Sequence, residues 1–123
     1  MREFNRYHTH IFATMNTPAR FEHSTATTWR PLVDIYERAD GLLVIVQLPG
    51  VDQDRIEVSA EEGRLTVAAV RPERFPEGTV RVHQMEIPSG RFARTIPLPP
   101  DADIGRIEAR YEEGYLVIEI PKM

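Results

Sequence analysis

With 123 residues the chain has room for one domain and a short extension, and a β-sandwich of about 100 residues is long enough to bury a real core. Lys and Arg number 15 against 19 Asp and Glu, a formal charge of -4, so no basic surface recommends a phosphate backbone or anionic lipid, and nucleic acid is not an expected partner. Cysteine is absent, which removes disulfides, thiolate nucleophiles and Cys-ligated zinc together and fits a reducing compartment.

The first residues, MREFNRYHTHIFATMN, hold no continuous apolar run, so neither a signal peptide nor a membrane span is expected. The expectation is a soluble, cytoplasmic protein. Within this segment Phe4, Tyr7, Ile11, Phe12 and Met15 fall at i, i+3, i+7, i+8 and i+11, on one face if the chain turns helical. Asn16-Thr17-Pro18 would stop such a helix. So short a helix is marginal alone, and residues 1–28 read as a flexible, partly helical arm. Its apolar groups, with Phe21 as a further anchor, each gain about 1.5–3 kcal/mol on burial.

From Leu32 onward short β-rich runs alternate with turn signals. The runs are Leu32–Tyr36, Leu42–Leu48, Arg55–Ser59, Arg64–Val70, Val80–His83, Arg91–Leu98, Arg106–Tyr111 and Tyr115–Ile120. Glycine and proline punctuate them, as in Leu48-Pro49-Gly50, Glu62-Gly63 and Glu113-Gly114. Eight such runs without crossover helices predict an all-β, antiparallel sandwich. Pro49–Val67 is echoed 51 residues later by Pro100–Ile118, nine of nineteen positions being identical. Each copy reads as a turn, Arg-Ile-Glu, a Glu-Glu-Gly tip and a strand opened by Leu65 or Leu116, so two hairpins of one design are expected to serve one core.

Two features break the pattern. In Arg91–Leu98 the two-residue period puts Arg94 on the same face as Phe92, Ile96 and Leu98. A buried guanidinium needs a partner, which a carboxylate at the core edge or in a second subunit would supply, unless its stem lies along the core and its head reaches water. The segment Arg71–Pro88 is the longest between strands and contains the β-like Thr79–His83. A loop of this length commonly binds something, and strands that leave their own sheet commonly pair with another chain's edge.

Reactive chemistry is not legible. No phosphate-binding glycine motif occurs, Ser24, Ser59 and Ser89 stand in no nucleophile-elbow context, and His8 and His10 lack a third ligand nearby. Glu61-Glu62 and Glu112-Glu113 are turn carboxylates that water solvates easily. No catalysis, metal or cofactor is expected, and any work done should be independent of ATP.

Pro31 to Glu37, Leu48 to Val51, the Gly90-Arg91-Phe92-Ala93-Arg94 run, Ala109 to Leu116 and the closing Ile120-Pro121-Lys122 resemble, in order, the α-crystallin domain of small heat-shock proteins. Glu113 departs from the Asn or Asp commoner before that glycine, and Tyr115 from a smaller apolar residue. The resemblance implies a Greek-key, immunoglobulin-like sandwich over residues 29–123 that forms a homodimer of the bacterial and plant type. Val80 and Val82, in the 71–89 loop, would then pair with a partner's Val33 and Ile35, with Arg94 at the interface. It also implies an apolar groove between the two Arg-Ile-Glu strands, near Ile56, Val58, Ile107 and Ala109. The Ile-x-Ile tail usual after Ile-Pro-Lys is missing, since Ile118-Glu119-Ile120 falls inside the last strand. That points to a dimer or small oligomer, or to a hetero-oligomer with a tail-bearing relative. The implied activity is an ATP-independent holdase for partly unfolded clients, contacted by Phe4, Tyr7, Ile11, Phe12, Met15 and Phe21. The alternative is a p23-like docking or co-chaperone module on the same architecture.

Overall fold

Strands dominate the computed structural model, which describes residues 2–3 and 30–123. They are β1 (Arg2–Glu3), β2 (Val33–Arg38), β3 (Gly41–Gln47), β4 (Glu57–Glu61), β5 (Arg64–Arg71), β6 (Gly90–Pro97), β7 (Glu108–Glu112) and β8 (Tyr115–Pro121). All pairing is antiparallel, in a five-stranded sheet ordered β1-β7-β8-β3-β2 and a three-stranded sheet ordered β4-β5-β6. The chain leaves the larger sheet after β3, builds the smaller one, and returns as the β7–β8 hairpin with β8 laid beside β3. The result is the expected β-sandwich.

Alternation explains which faces meet. Val44 and Val46 of β3, Leu65 and Val67 of β5, Phe92 and Ile96 of β6, and Leu116 and Ile118 of β8 are at most 3% exposed and form one core cluster. Full burial of each such side chain stabilises by about 1.5–3 kcal/mol. From Leu32 onward the sequence contains no helix period able to compete, and its β-branched content suits a pleated surface.

The internal echo is a structural repeat. Its first copy supplies β4–β5 to the smaller sheet and its second supplies β7–β8 to the larger. Hydrogen bonds recur at the same spacing. Asp52 N donates to the Val70 carbonyl at 2.9 Å and Asp103 N to the Pro121 carbonyl at 2.8 Å. Arg55 N donates to Asp52 and Arg106 N to Asp103. The two aspartate side chains accept from Asp54 N and Gly105 N. Leu48 N reaches the Gly114 carbonyl and Leu98 N the Gly63 carbonyl, so each hairpin tip also receives the end of the strand beside it.

Two expectations need correction. Arg55 and Arg106 close single-turn 3-10 helices, Gln53–Arg55 and Ile104–Arg106, and the strands start only at Glu57 and Glu108. The N-caps Asp52 and Asp103 hold these turns, and an Asp at that place is the local signal that the strand reading passed over. Val80–His83 is not a strand within this chain, and Val80 is 95% exposed. A single strand cannot satisfy its own N–H and C=O groups, and among the described residues no neighbouring edge pairs with it. A two-residue strand, β1, forms at Arg2–Glu3, ahead of the apolar pattern that begins at Phe4. The arm positions Phe4, Tyr7, Ile11, Phe12, Met15 and Phe21 lie outside the described residues.

Candidate interaction surface

Apolar exposure is concentrated. Among the described residues it falls on Leu32, Ile35 and Tyr36, along β2 and its lead-in, and on Phe75, Val80, Val82, Met85 and Ile87 of the loop between β5 and β6; Tyr115 and Met123 stand apart. Both segments have backbone to spare. Among the described residues β2 pairs only with β3, leaving its outer edge unmatched, and the loop forms no ladder. Val33 is half-buried against the core while Ile35, two residues on, is 49% exposed, so the strand is anchored at one end and presented at the other.

The loop is held at its feet. Arg71, the last residue of β5, donates from Nε to the Pro88 carbonyl at 2.9 Å and from Nη1 to the Pro49 carbonyl at 3.0 Å. These bonds tie both ends of the loop to the turn after β3, above a cleft lined by Gly50, Arg74, Met85 and Ile87. Sequence reading missed Arg71, although the signal existed. The period that points Leu65, Val67 and Ala69 inward carries Arg71 to the same side.

Arg94 is where the alternation put it, between Phe92 and Ile96. Its partner differs from the expected carboxylate: Nη1 donates to the carbonyl of buried Pro31 at 2.8 Å. The guanidinium therefore ties β6 to the lead-in of β2, where Val33 and Ile35 follow. Its Nε is buried with no hydrogen-bond partner among the described residues. Burial, and then the nearby charge of Arg30, lower its pKa. An arginine stays protonated regardless, so the consequence is a desolvated cation one acceptor short.

The expected groove residues lie in the core. Ile56, Val58, Ile107 and Ala109 are 1–3% exposed and belong to the central cluster. Ile56 and Ile107 immediately precede β4 and β7 and Val58 and Ala109 lie within them, β4 being an outer strand of one sheet and β7 the strand beside β1 in the other. Tyr111, further along β7 on the same inward face, donates its hydroxyl to the Leu48 carbonyl at 2.6 Å. That bond locks β7 to the end of β3, and burial pushes the Tyr111 pKa up. On the outer face Arg110 bridges Glu119 at 2.9 Å and Glu112 at 3.2 Å, an ordinary surface network worth little to stability. Among the described residues no group of His, Asp and Glu is arranged to hold a metal ion.

The Hsp20/alpha crystallin family profile matches residues 34–123. The chain belongs to this family. It is 34% identical to the 18 kDa heat shock protein of Streptomyces albus G, over 98% of this chain and 78% of that protein. It is likewise 34% identical to heat shock protein 16 of Schizosaccharomyces pombe, over 76% of this chain and 66% of the relative. Among solved structures hspA of Xanthomonas axonopodis superposes with a TM-score of 0.69 at 36% identity, covering 77% of this chain and 95% of that one. The chain thus spans about two-thirds of the length of the S. pombe relative. Among the described residues no helix is long and apolar enough to cross a membrane.

Proposed function

We propose that this small heat shock protein is an ATP-independent holdase that binds partly unfolded proteins and slows their aggregation. The observation that carries the reading is an α-crystallin sandwich whose exposed apolar side chains gather on two backbone-unsatisfied segments. Aggregation-prone intermediates expose hydrophobic patches and bare strand edges, and a protein offering the same two features competes for them by mass action. The relatives are heat shock proteins, which favours this reading over the p23-like docking module. Client contact falls to the arm residues Phe4, Tyr7, Ile11, Phe12, Met15 and Phe21, and the setting is the cytoplasm.

The working unit in this proposal is a homodimer. Val80 and Val82 of one subunit add a strand beside Val33 and Ile35 of its partner, each edge supplying the hydrogen bonds the other lacks. Arg94 supports the interface from below through Pro31. A tail-bearing family member is a further partner for the β4 and β7 rims, around Ile56, Val58, Ile107 and Ala109. The test of the activity is light scattering by a heated model client with full-length and arm-deleted (residues 1–28) protein, with and without ATP. Suppression by full-length protein that ATP does not alter and that arm deletion largely abolishes is expected. Unchanged scattering in every condition would sink the proposal, and protection retained without the arm would move client binding to the sandwich.

A further inference from the structure

The two bare segments of the candidate interface carry opposite charge. Along β2, Asp34 and Glu37 interrupt the apolar residues before Arg38 closes the strand, whereas Thr79–His83 holds no acid and one arginine, Arg81, set between Val80 and Val82. Asp34 and Arg81 are both exposed, and among the described residues neither joins an ion pair within its own chain. Alternation settles what an added strand would bring to Asp34. Val33 packs against the core and Ile35 shares its face, so Asp34 and Tyr36 point outward, where the Tyr36 hydroxyl donates to Asp34 Oδ2 at 3.4 Å. Residues opposite one another on adjacent strands lie on one face. Setting Val80 and Val82 against Val33 and Ile35 therefore puts Arg81 across from Asp34, whether the added strand runs parallel or antiparallel.

We infer that Arg81 of one subunit pairs with Asp34 of the other, a reciprocal ion pair that sets the register of the added strand and limits partners to subunits with an acid on the edge and a base in the loop. The inference deepens the dimer proposed above and rests on that reading for bringing the two segments together. Backbone hydrogen bonds are alike for every sequence, and two valines accept many aliphatic neighbours, so neither selects a partner. A one-residue slip is already forbidden, because it turns both valines to the outer face. A two-residue slip keeps the valines in place but carries Arg81 to Leu32 or Tyr36, neither of which is charged. The ion pair is what rejects that second slip. Because a two-fold dimer repeats every contact, a partner with the wrong sign at either position meets like charge at both ends of the interface.

The test uses the full chain and two charge reversals, Asp34→Arg and Arg81→Asp, with dimer dissociation followed by analytical ultracentrifugation. Each variant alone should dimerise about a hundredfold more weakly than wild type, because both copies of the pair become like-charged. An equimolar mixture of the two should recover wild-type affinity to within about threefold, since every contact in the mixed dimer again joins an acid to a base. The double variant Asp34→Arg/Arg81→Asp should dimerise with itself yet fail to exchange subunits with wild type. Amide exchange at Val44 and Leu116 checks that each variant is folded. The milder Asp34→Asn and Arg81→Gln should weaken the dimer about tenfold and remove its sensitivity to salt. Reversals that dimerise as tightly as wild type, or a mixture no tighter than its components, overturn the ion pair. Val80→Glu separates the two failures. A dimer lost in Val80→Glu but intact in the reversals sinks the ion pair alone, whereas a wild-type mass in all of them, or a wild type that is monomeric throughout, sinks the interface and the pair together.

Discussion

A Cβ on Gly41 would sit 2.2 Å from the Ile120 carbonyl oxygen and 2.9 Å from Pro121 Cα, inside the β3–β8 pairing that joins the two halves of the larger sheet. Both obstacles are backbone, so Gly41→Ala should cost about 2–4 kcal/mol in denaturant unfolding; a loss below about 0.5 kcal/mol would show that the strand can shift. At the β7–β8 tip Glu113 has a φ of 52° and Gly114 of 85°, left-handed values that favour Asn over Glu at the first position. Glu113→Asn should therefore stabilise by about 0.5–1 kcal/mol. Its repeat counterpart Glu62 is not left-handed, so Glu62→Asn should do nothing comparable. Tyr111 predicts a pH dependence. Its raised pKa means the folded state holds the hydroxyl proton more tightly than the unfolded chain, so that contribution is intact below the ordinary tyrosine value near 10 and is lost as pH climbs above it. Urea midpoints should fall more steeply above that pH in wild type than in Tyr111→Phe, which itself costs about 1–2 kcal/mol through the orphaned Leu48 carbonyl. Parallel curves would remove the Tyr111 proton from the account. Of these residues only Glu113 was conspicuous in the sequence, as a departure from the usual turn chemistry.

Strand positions were legible wherever alternation and turn residues agreed, as in Leu42–Leu48, Arg64–Val70 and Tyr115–Ile120. The ends after Asp52 and Asp103 were not, because a three-residue 3-10 turn has too short a period to register before a strand. Val80–His83 has strand composition without a strand, since pairing needs a second edge and composition cannot supply one. The proposed interface makes this testable. Val80→Glu alters a side chain that is 95% exposed, so the unfolding of the isolated subunit should be unaffected. The mass by light scattering should nonetheless drop to that of the monomer at concentrations where wild type is dimeric, and Ile35→Glu on β2 should act in the same direction. A wild-type mass retained by both variants would place the dimer contact elsewhere. Arg94→Ala should weaken association as well, and destabilise the subunit too, because the buried Pro31 carbonyl loses its donor.

For the molecule entire, the two copies of the hairpin explain how so short a chain closes a sandwich: equivalent residues Ile56 and Ile107, Leu65 and Leu116, Val67 and Ile118 fill one core from opposite sheets. Deleting residues 1–28 should accordingly leave the sandwich cooperative in thermal unfolding, since this core draws on residues after Leu42, while removing client protection; a deletion that abolishes cooperative unfolding would make the arm part of the fold. The amino-acid order alone determined the class of fold, the repeat, the inward face of the Arg91–Leu98 run and the anomaly at Arg94, because period-two burial and turn chemistry are local properties. Which carbonyl receives Arg94, what Arg71 clamps, that the groove residues are core, and that Arg2–Glu3 lies on β7 were decided by the folded chain. Each of these is a meeting of segments far apart in sequence, and no local pattern records where such segments come together.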